Sequence, residues 1–300
     1  MSRATDPRQI DVLQRGRERV ISAWDLGGAL VDPGPERRIE TLLEGLSEEP
    51  RALLLTHIHL DHAGAAGALV ERFPGLEVYV HAMGAPHLAD PSRLLASAQR
   101  IYGDEMTELW GRVLPVPERN LRVVEGGETI AVADRELDVA YTPGHASHHV
   151  VYFDRSDGTA FVGDVAGVRI PPSDFVRPPT PPPDIDVEQW LESIDLVADR
   201  RPARLALTHF GMVEDPEPHL EQTGLRLREQ AALVRSLLDE HGDTEQAVSE
   251  FVLEVDRRTR AAAGVETAAV FEVGAPVEQL WQGLRRYWVL MAERSARPGD

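Results

Sequence analysis

The chain has 300 residues, 42% of them hydrophobic, enough to bury a core in one large domain or two small ones. Its 31 basic residues, all arginine, stand against 50 acidic ones, and the net charge of −19 argues against a nucleic-acid binder, whose footprint is ordinarily basic. Cysteine is absent, which excludes disulfides and thiolate metal sites, so any metal must be held by His, Asp or Glu.

The N-terminal stretch MSRATDPRQIDVLQRGRERV is polar and lacks the apolar centre of a signal peptide. No apolar run approaches the roughly 18–20 residues that span a bilayer. The expectation is a soluble, cytoplasmic protein. GGALVD (27–32) reads as a strand that turns at Pro33-Gly34, RALLLT (51–56) as a buried strand and LEVYVH (76–81) as another. Between the last two, Gly64 to Phe73 has helical spacing and stops at Pro74. A second series of short apolar runs follows: LRVV, ETIAV, ELDVAYT, HVVYF and TAFVGD. The segment 171–183 carries seven prolines in 13 residues and can be neither regular helix nor central strand. It begins seven residues after Asp164 and is expected to be a rigid loop walling a pocket. A helix from Val187 to Asp199 and the strand RLALTH (204–209) complete this part. Strands alternating with helices predict an α/β layered fold over residues 1–215.

Beyond residue 216 the pattern becomes helical. LEQTGLRLREQAALVRSLLDEHG has apolar residues at helical spacing and a stop at Gly242. TEQAVSEFVLEVDRRTRAAAG and VEQLWQGLRRYWVLMAER continue in the same style. Residues 216–300 are therefore expected to form a helical region packed on the first domain. Trp281, Trp288 and Met291 fit the interior of that region.

The chemistry is concentrated in His57-x-His59-x-Asp61-His62, directly behind the leucine strand. Imidazoles two positions apart on extended backbone point the same way, so His57 and His59 can grip one cation. Asp61 and His62 lie past a turn and can face a second. A lone histidine after a strand is ordinarily structural; four ligand-type side chains in six positions are not. His145 in YTPGH, Asp164 in FVGD and His209 in LALTHFG also follow strands, where sites in α/β folds gather.

These motifs resemble the metallo-β-lactamase-fold hydrolase superfamily over roughly residues 18–215, closest in style to its glyoxalase II and lactonase-like branches. Five elements carry the resemblance: Asp32 in VDPG, the HIHLDH segment, His145 in TPGH, Asp164 in GD and His209 in THFG. The resemblance implies an αββα sandwich with a dinuclear centre at one edge. It assigns His57, His59 and His145 to one metal and Asp61, His62 and His209 to the other. Asp164 would bridge both, and Asp32 would be a buried orienting residue. A ligand set of nitrogen and oxygen suits Zn2+, and also iron or manganese. Two such cations about 3.5–4 Å apart share a bridging hydroxide and polarise a substrate oxygen. The implied activity is hydrolysis of a small ester, lactone or thioester, with Asp61 or Asp164 handling a proton.

His148 is a candidate substrate contact. By strand alternation, His148 and His149 should face opposite sides. Arg169 and Arg177, at the proline-rich stretch, are candidates for holding a substrate carboxylate. His81 and His87 read as structural or surface histidines. Alternatives within the same fold are a phosphodiesterase or ribonuclease, and a mononuclear-iron, sulfur-dioxygenase-like oxidoreductase. A small-molecule substrate is the expected partner, and the apolar face of a C-terminal helix offers a place for a homodimer contact.

Overall fold

A computed structural model describes residues 6–296. In chain order the strands are β1 (Arg8–Asp11), β2 (Ser22–Asp25), β3 (Ala29–Val31), β4 (Ala52–Leu54), β5 (Glu77–His81), β6 (Leu121–Val124), β7 (Thr129–Val132), β8 (Arg135–Tyr141), β9 (Val150–Asp154), β10 (Thr159–Gly163), β11 (Val168–Arg169), β12 (Val176–Arg177), β13 (Arg204–Leu207) and β14 (Gly211–Val213). The chain is mixed α/β, with two six-stranded sheets and a helical C-terminal region. Among the described residues no helix is long and apolar enough to cross a membrane.

The chain divides into two compact units. The first comprises residues up to Tyr141, His148–Gly163 and Arg201–Pro216. It contains both large sheets, ordered β1-β2-β3-β4-β5-β6 and β14-β13-β10-β9-β8-β7. In the first sheet β3 through β6 run parallel, so their C-terminal ends emerge along one edge. Parallel strands need long crossovers. The connections supply helices such as Ile39–Gly45 after β3 and Ala66–Arg72 after β4. The two sheets share a core that includes Trp24, Val31 and Leu54 from one and Val139, Tyr152 and Phe161 from the other. The Trp24 and Phe161 rings meet edge-on at 6.3 Å. Tyr152, fully buried, donates to the Leu55 carbonyl at 3.0 Å and ties the sheets together just behind the histidine segment.

The second unit comprises Thr142–Ser147, Asp164–Arg200 and the chain from Glu217 onward. Its helices are Val187–Asp199, Pro216–His241, Glu245–Ala263, Val265–Gly274 and Val277–Ala296. Two of them carry side-chain caps: Asp186 accepts from the Gln189 amide at 3.1 Å and Thr244 from that of Ala247 at 3.3 Å. Gly242 and Gly264, at φ +66° and +81°, follow the ends of Pro216–His241 and Glu245–Ala263. Within the proline-rich segment, β12 pairs antiparallel with β11 as a two-residue ribbon. That is as much strand as a run lacking so many N–H donors can support.

Candidate metal centre

The leucines of β4 fix where the histidines emerge. Leu53, Leu54 and Leu55 are fully buried, and the strand gives way at Thr56 to His57. The His57 Nδ1 lies 3.1 Å from Thr56 Oγ1, while its Nε2 lies 3.0 Å from His59 Nδ1. Their rings meet edge-on with centroids 4.5 Å apart. His59 then stands at the head of the short helix Leu60–Ala63, which carries Asp61 and His62 around the turn. His209, just beyond β13, joins them: ligand atoms of Asp61, His62 and His209 all lie within 4.8 Å of one another. Asp61 Oδ2 stands 3.3 Å from His209 Nε2 and 4.0 Å from His62 Nε2.

What orients these rings lies behind them. Asp32, fully buried, follows β3 in a left-handed backbone conformation, φ +46°, which Asp tolerates better than most residues. Its Oδ1 accepts from the Thr56 amide at 2.8 Å. Its Oδ2 accepts from Thr56 Oγ1 at 2.7 Å, Thr208 Oγ1 at 2.8 Å and His62 Nδ1 at 2.7 Å. His209 donates from Nδ1 to the Val20 carbonyl at 2.7 Å. In both histidines Nδ1 is committed to an acceptor and Nε2 is turned toward Asp61. An anchored second ring nitrogen is what fixes the tautomer and orientation of a metal-ligating imidazole.

The second unit repeats this arrangement. His145, 1% exposed, donates from Nδ1 to the Pro179 carbonyl at 2.9 Å and sets Nε2 3.3 Å from Asp164 Oδ2. The proline-rich segment thus holds His145 through a backbone oxygen. Gly144 precedes it at φ +126°, and a β-carbon there would overlap the backbone of Trp190.

The remaining candidates fall as follows. His148 and His149 do not split to opposite sides: both are buried, with rings 6.2 and 5.0 Å from that of His57. They lie in a turn before β9, where strand alternation has not begun. His148 Nδ1 accepts from the Ile58 amide at 3.4 Å. Gly163 makes room for His149; at φ +48° its β-carbon would stand 2.7 Å from His149 Nε2 and 2.5 Å from Thr56 Oγ1. Arg169 pairs with Asp174 at 2.8 Å. Arg177, 1% exposed, donates to Glu272 at 2.7 Å, to the Ala275 carbonyl at 3.0 Å and to Thr259 at 2.6 Å, with its guanidinium over the Phe271 ring. His81 is buried and stacks on Tyr141 at 4.5 Å, and burial lowers its pKa. His87 is half-buried. Thr56, Thr208 and His219 were not singled out by sequence reasoning, and His149 only as the neighbour of His148 in the alternation argument. Thr56, Thr208 and His149, each beside a marked histidine, carried a local signal, and His219 carried none.

Carboxylate oxygens set beside oriented imidazole nitrogens, with no sulfur, fit a borderline divalent cation such as zinc, iron or manganese. The sequence profile of the metallo-beta-lactamase superfamily matches residues 25–209. A metallo-beta-lactamase fold-containing protein of Sulfurisphaera tokodaii is 30% identical over 175 residues, 57% of this chain and 65% of that protein. A hydroxyacylglutathione hydrolase of an Enterobacter species is 30% identical over 135 residues, 45% of this chain and 41% of that protein. The chain therefore spans less than two thirds of either curated relative. Among solved structures, an archaeal metallo-beta-lactamase superfamily protein from Sulfolobus tokodaii superposes with a TM-score of 0.63 at 21% identity, over 89% of this chain and 93% of that one. A metallo-beta-lactamase family protein from Thermus thermophilus gives 0.62 at 22%, over 93% and 91%. These likenesses show the fold.

Proposed function

The chain belongs to the metallo-beta-lactamase superfamily, and from that premise we propose that it is a hydrolase of small esters, lactones or thioesters that depends on two divalent cations, zinc foremost. The observation that carries this reading is the Asp61–His62–His209 cluster, whose imidazoles are anchored at Nδ1 and turned by Nε2 toward one carboxylate. By the superfamily resemblance His57, His59 and His145 would hold one cation and Asp61, His62 and His209 the other, with Asp164 a ligand as well. When bound, the cations supply Lewis acidity and lower the pKa of water toward neutrality.

The chain's own residues divide the rest of the work. His62, His209 and His145 have their Nδ1 protons committed to Asp32, Val20 and Pro179, so they orient and do not shuttle protons. The carboxylate of Asp61 or Asp164 takes a proton as the leaving group departs. His148, held by the Ile58 amide beside His57, contacts the substrate. The named activity of the Enterobacter relative supports a thioester within the substrate class. The net charge of −19 weighs against a polyanionic substrate.

A panel of p-nitrophenyl esters, acyl-homoserine lactones and glutathione or coenzyme A thioesters tests the reading. Turnover of at least one class, abolished by a chelator and restored by zinc, iron or manganese, is expected. Absence of metal-dependent turnover across the panel overturns it.

A further inference from the structure

Asp164 opens a turn closed by a hydrogen bond from the Gly167 amide to its own carbonyl at 2.9 Å. The two residues inside that turn, Val165 and Ala166, are fully buried. Buried carbonyls need donors, and here two side chains supply them, with a third close by. The Trp190 indole donates to the Val165 carbonyl at 2.9 Å. The His219 Nε2 donates to that of Ala166 at 2.8 Å, and the Thr223 hydroxyl, whose shorter bond goes to the His219 carbonyl at 2.8 Å, lies 3.1 Å from the same Ala166 oxygen. Trp190 and Thr223 are fully buried and His219 is 6% exposed. Burial lowers the His219 pKa to about 4, so at neutral pH it is an uncharged imidazole. The Ala166 contact puts its single proton on Nε2.

Trp190 also reaches the other half of the pair. Its ring meets His145 edge-on at 5.2 Å, and its backbone abuts Gly144. Helix Val187–Asp199 is thereby fixed against both ligand-bearing segments of this unit, and helix Pro216–His241 against one of them.

We propose that Trp190 and His219, assisted by Thr223, are positioning residues for the His145–Asp164 pair, so that helices Val187–Asp199 and Pro216–His241 set the geometry with which this unit presents its metal ligands. The inference rests on the reading that His145 and Asp164 hold cations. Removing a direct hydrogen-bond partner of a ligand costs roughly 10–100-fold in metal affinity, and these side chains act one step further back, through the Val165–Ala166 turn, so the low end of that range applies. Trp190→Phe deletes the indole donor and keeps a ring beside His145. His219→Leu deletes the imidazole donor, and His219→Gln returns an N–H at similar reach.

The test is Zn2+ affinity by chelator competition and the visible spectrum of the Co2+-loaded protein, with urea unfolding of the metal-free form alongside. Trp190→Phe and His219→Leu are expected to weaken affinity by about 10-fold or more and to shift the cobalt bands, and His219→Gln to recover most of both. Folded variants with parental affinity and spectrum, changed only in their unfolding midpoint, overturn the proposal. If one of the two fails to fold, the other decides: an altered cobalt spectrum supports positioning and an unaltered one overturns it. A parent chain that binds no cation refutes the underlying hydrolase reading instead. A parent that binds two, with indifferent variants, refutes only this one.

Discussion

Replacing Asp32 by Asn probes how the centre is held with little change of volume, and Asn tolerates the left-handed backbone at φ +46°. Of the two orientations open to the amide, the better keeps its oxygen at the Oδ2 position, still facing Thr56 Oγ1, Thr208 Oγ1 and His62 Nδ1. Its NH2 group then opposes the Thr56 amide, which loses its 2.8 Å acceptor. A buried donor left unsatisfied costs about 1–3 kcal/mol, and each of the three retained bonds loses roughly 0.5–1.5 kcal/mol as its acceptor turns from carboxylate to amide. The total is about 5 kcal/mol, a large share of the roughly 5–15 kcal/mol that holds a typical domain. Urea unfolding of the metal-free protein measures it. Because His62 loses its carboxylate anchor, Zn2+ affinity should also fall by about 10–100-fold in chelator competition. A variant within about 1 kcal/mol of the parent, with parental Zn2+ affinity, would refute the assignment of Asp32 as the orienting residue.

Other outcomes follow from the same structure. Gly163→Ala sets a methyl group 2.5 Å from Thr56 Oγ1 at φ +48°, and a loss of about 2–4 kcal/mol is expected in thermal or urea unfolding. Arg177→Met leaves Thr259 and the Ala275 carbonyl without a buried donor; unfolding stability should drop by about 2–3 kcal/mol, with Glu272 partly relieved by solvent. His219, with a folded pKa of about 4 against 6.5, binds fewer protons folded than unfolded between those values. It therefore stabilises the fold above pH 6.5, and that contribution, on the order of 3 kcal/mol, is lost as pH falls from 6.5 through 4. Urea unfolding at pH 7 and pH 4.5 should show a larger acid loss for the parent than for His219→Gln. Equal losses would contradict the assignment.

Much of the fold was readable because local signals agreed with tertiary ones. The run Leu53–Leu55 marks a strand buried on both faces, and Asp186 with the apolar spacing of 187–199 marks a capped helix. Helix Val265–Gly274 was not legible, because its apolar residues are spread around the axis and leave no stripe. Strands β1 and β2 were missed as well; the polar stretch around them acquires its strand character only by pairing within the first sheet. At the site, the ligand-type residues announced themselves through spacing. Their supports did not. Thr56, Thr208 and His219 act through contacts 24, 176 and 53 residues away along the chain, and no local pattern encodes those partners. Strand alternation failed at His148 and His149 for a related reason, since they belong to the turn and not to β9.

The central claim is that this chain holds two cations through its histidines and aspartates. Elemental analysis of the purified, reconstituted protein tests it most directly, alongside His209→Ala. Two equivalents of divalent metal per parent chain and about one in the variant are expected, with His57 and His59 still loaded. Near-zero metal in the parent, or a stoichiometry unmoved by the loss of His209, would contradict it.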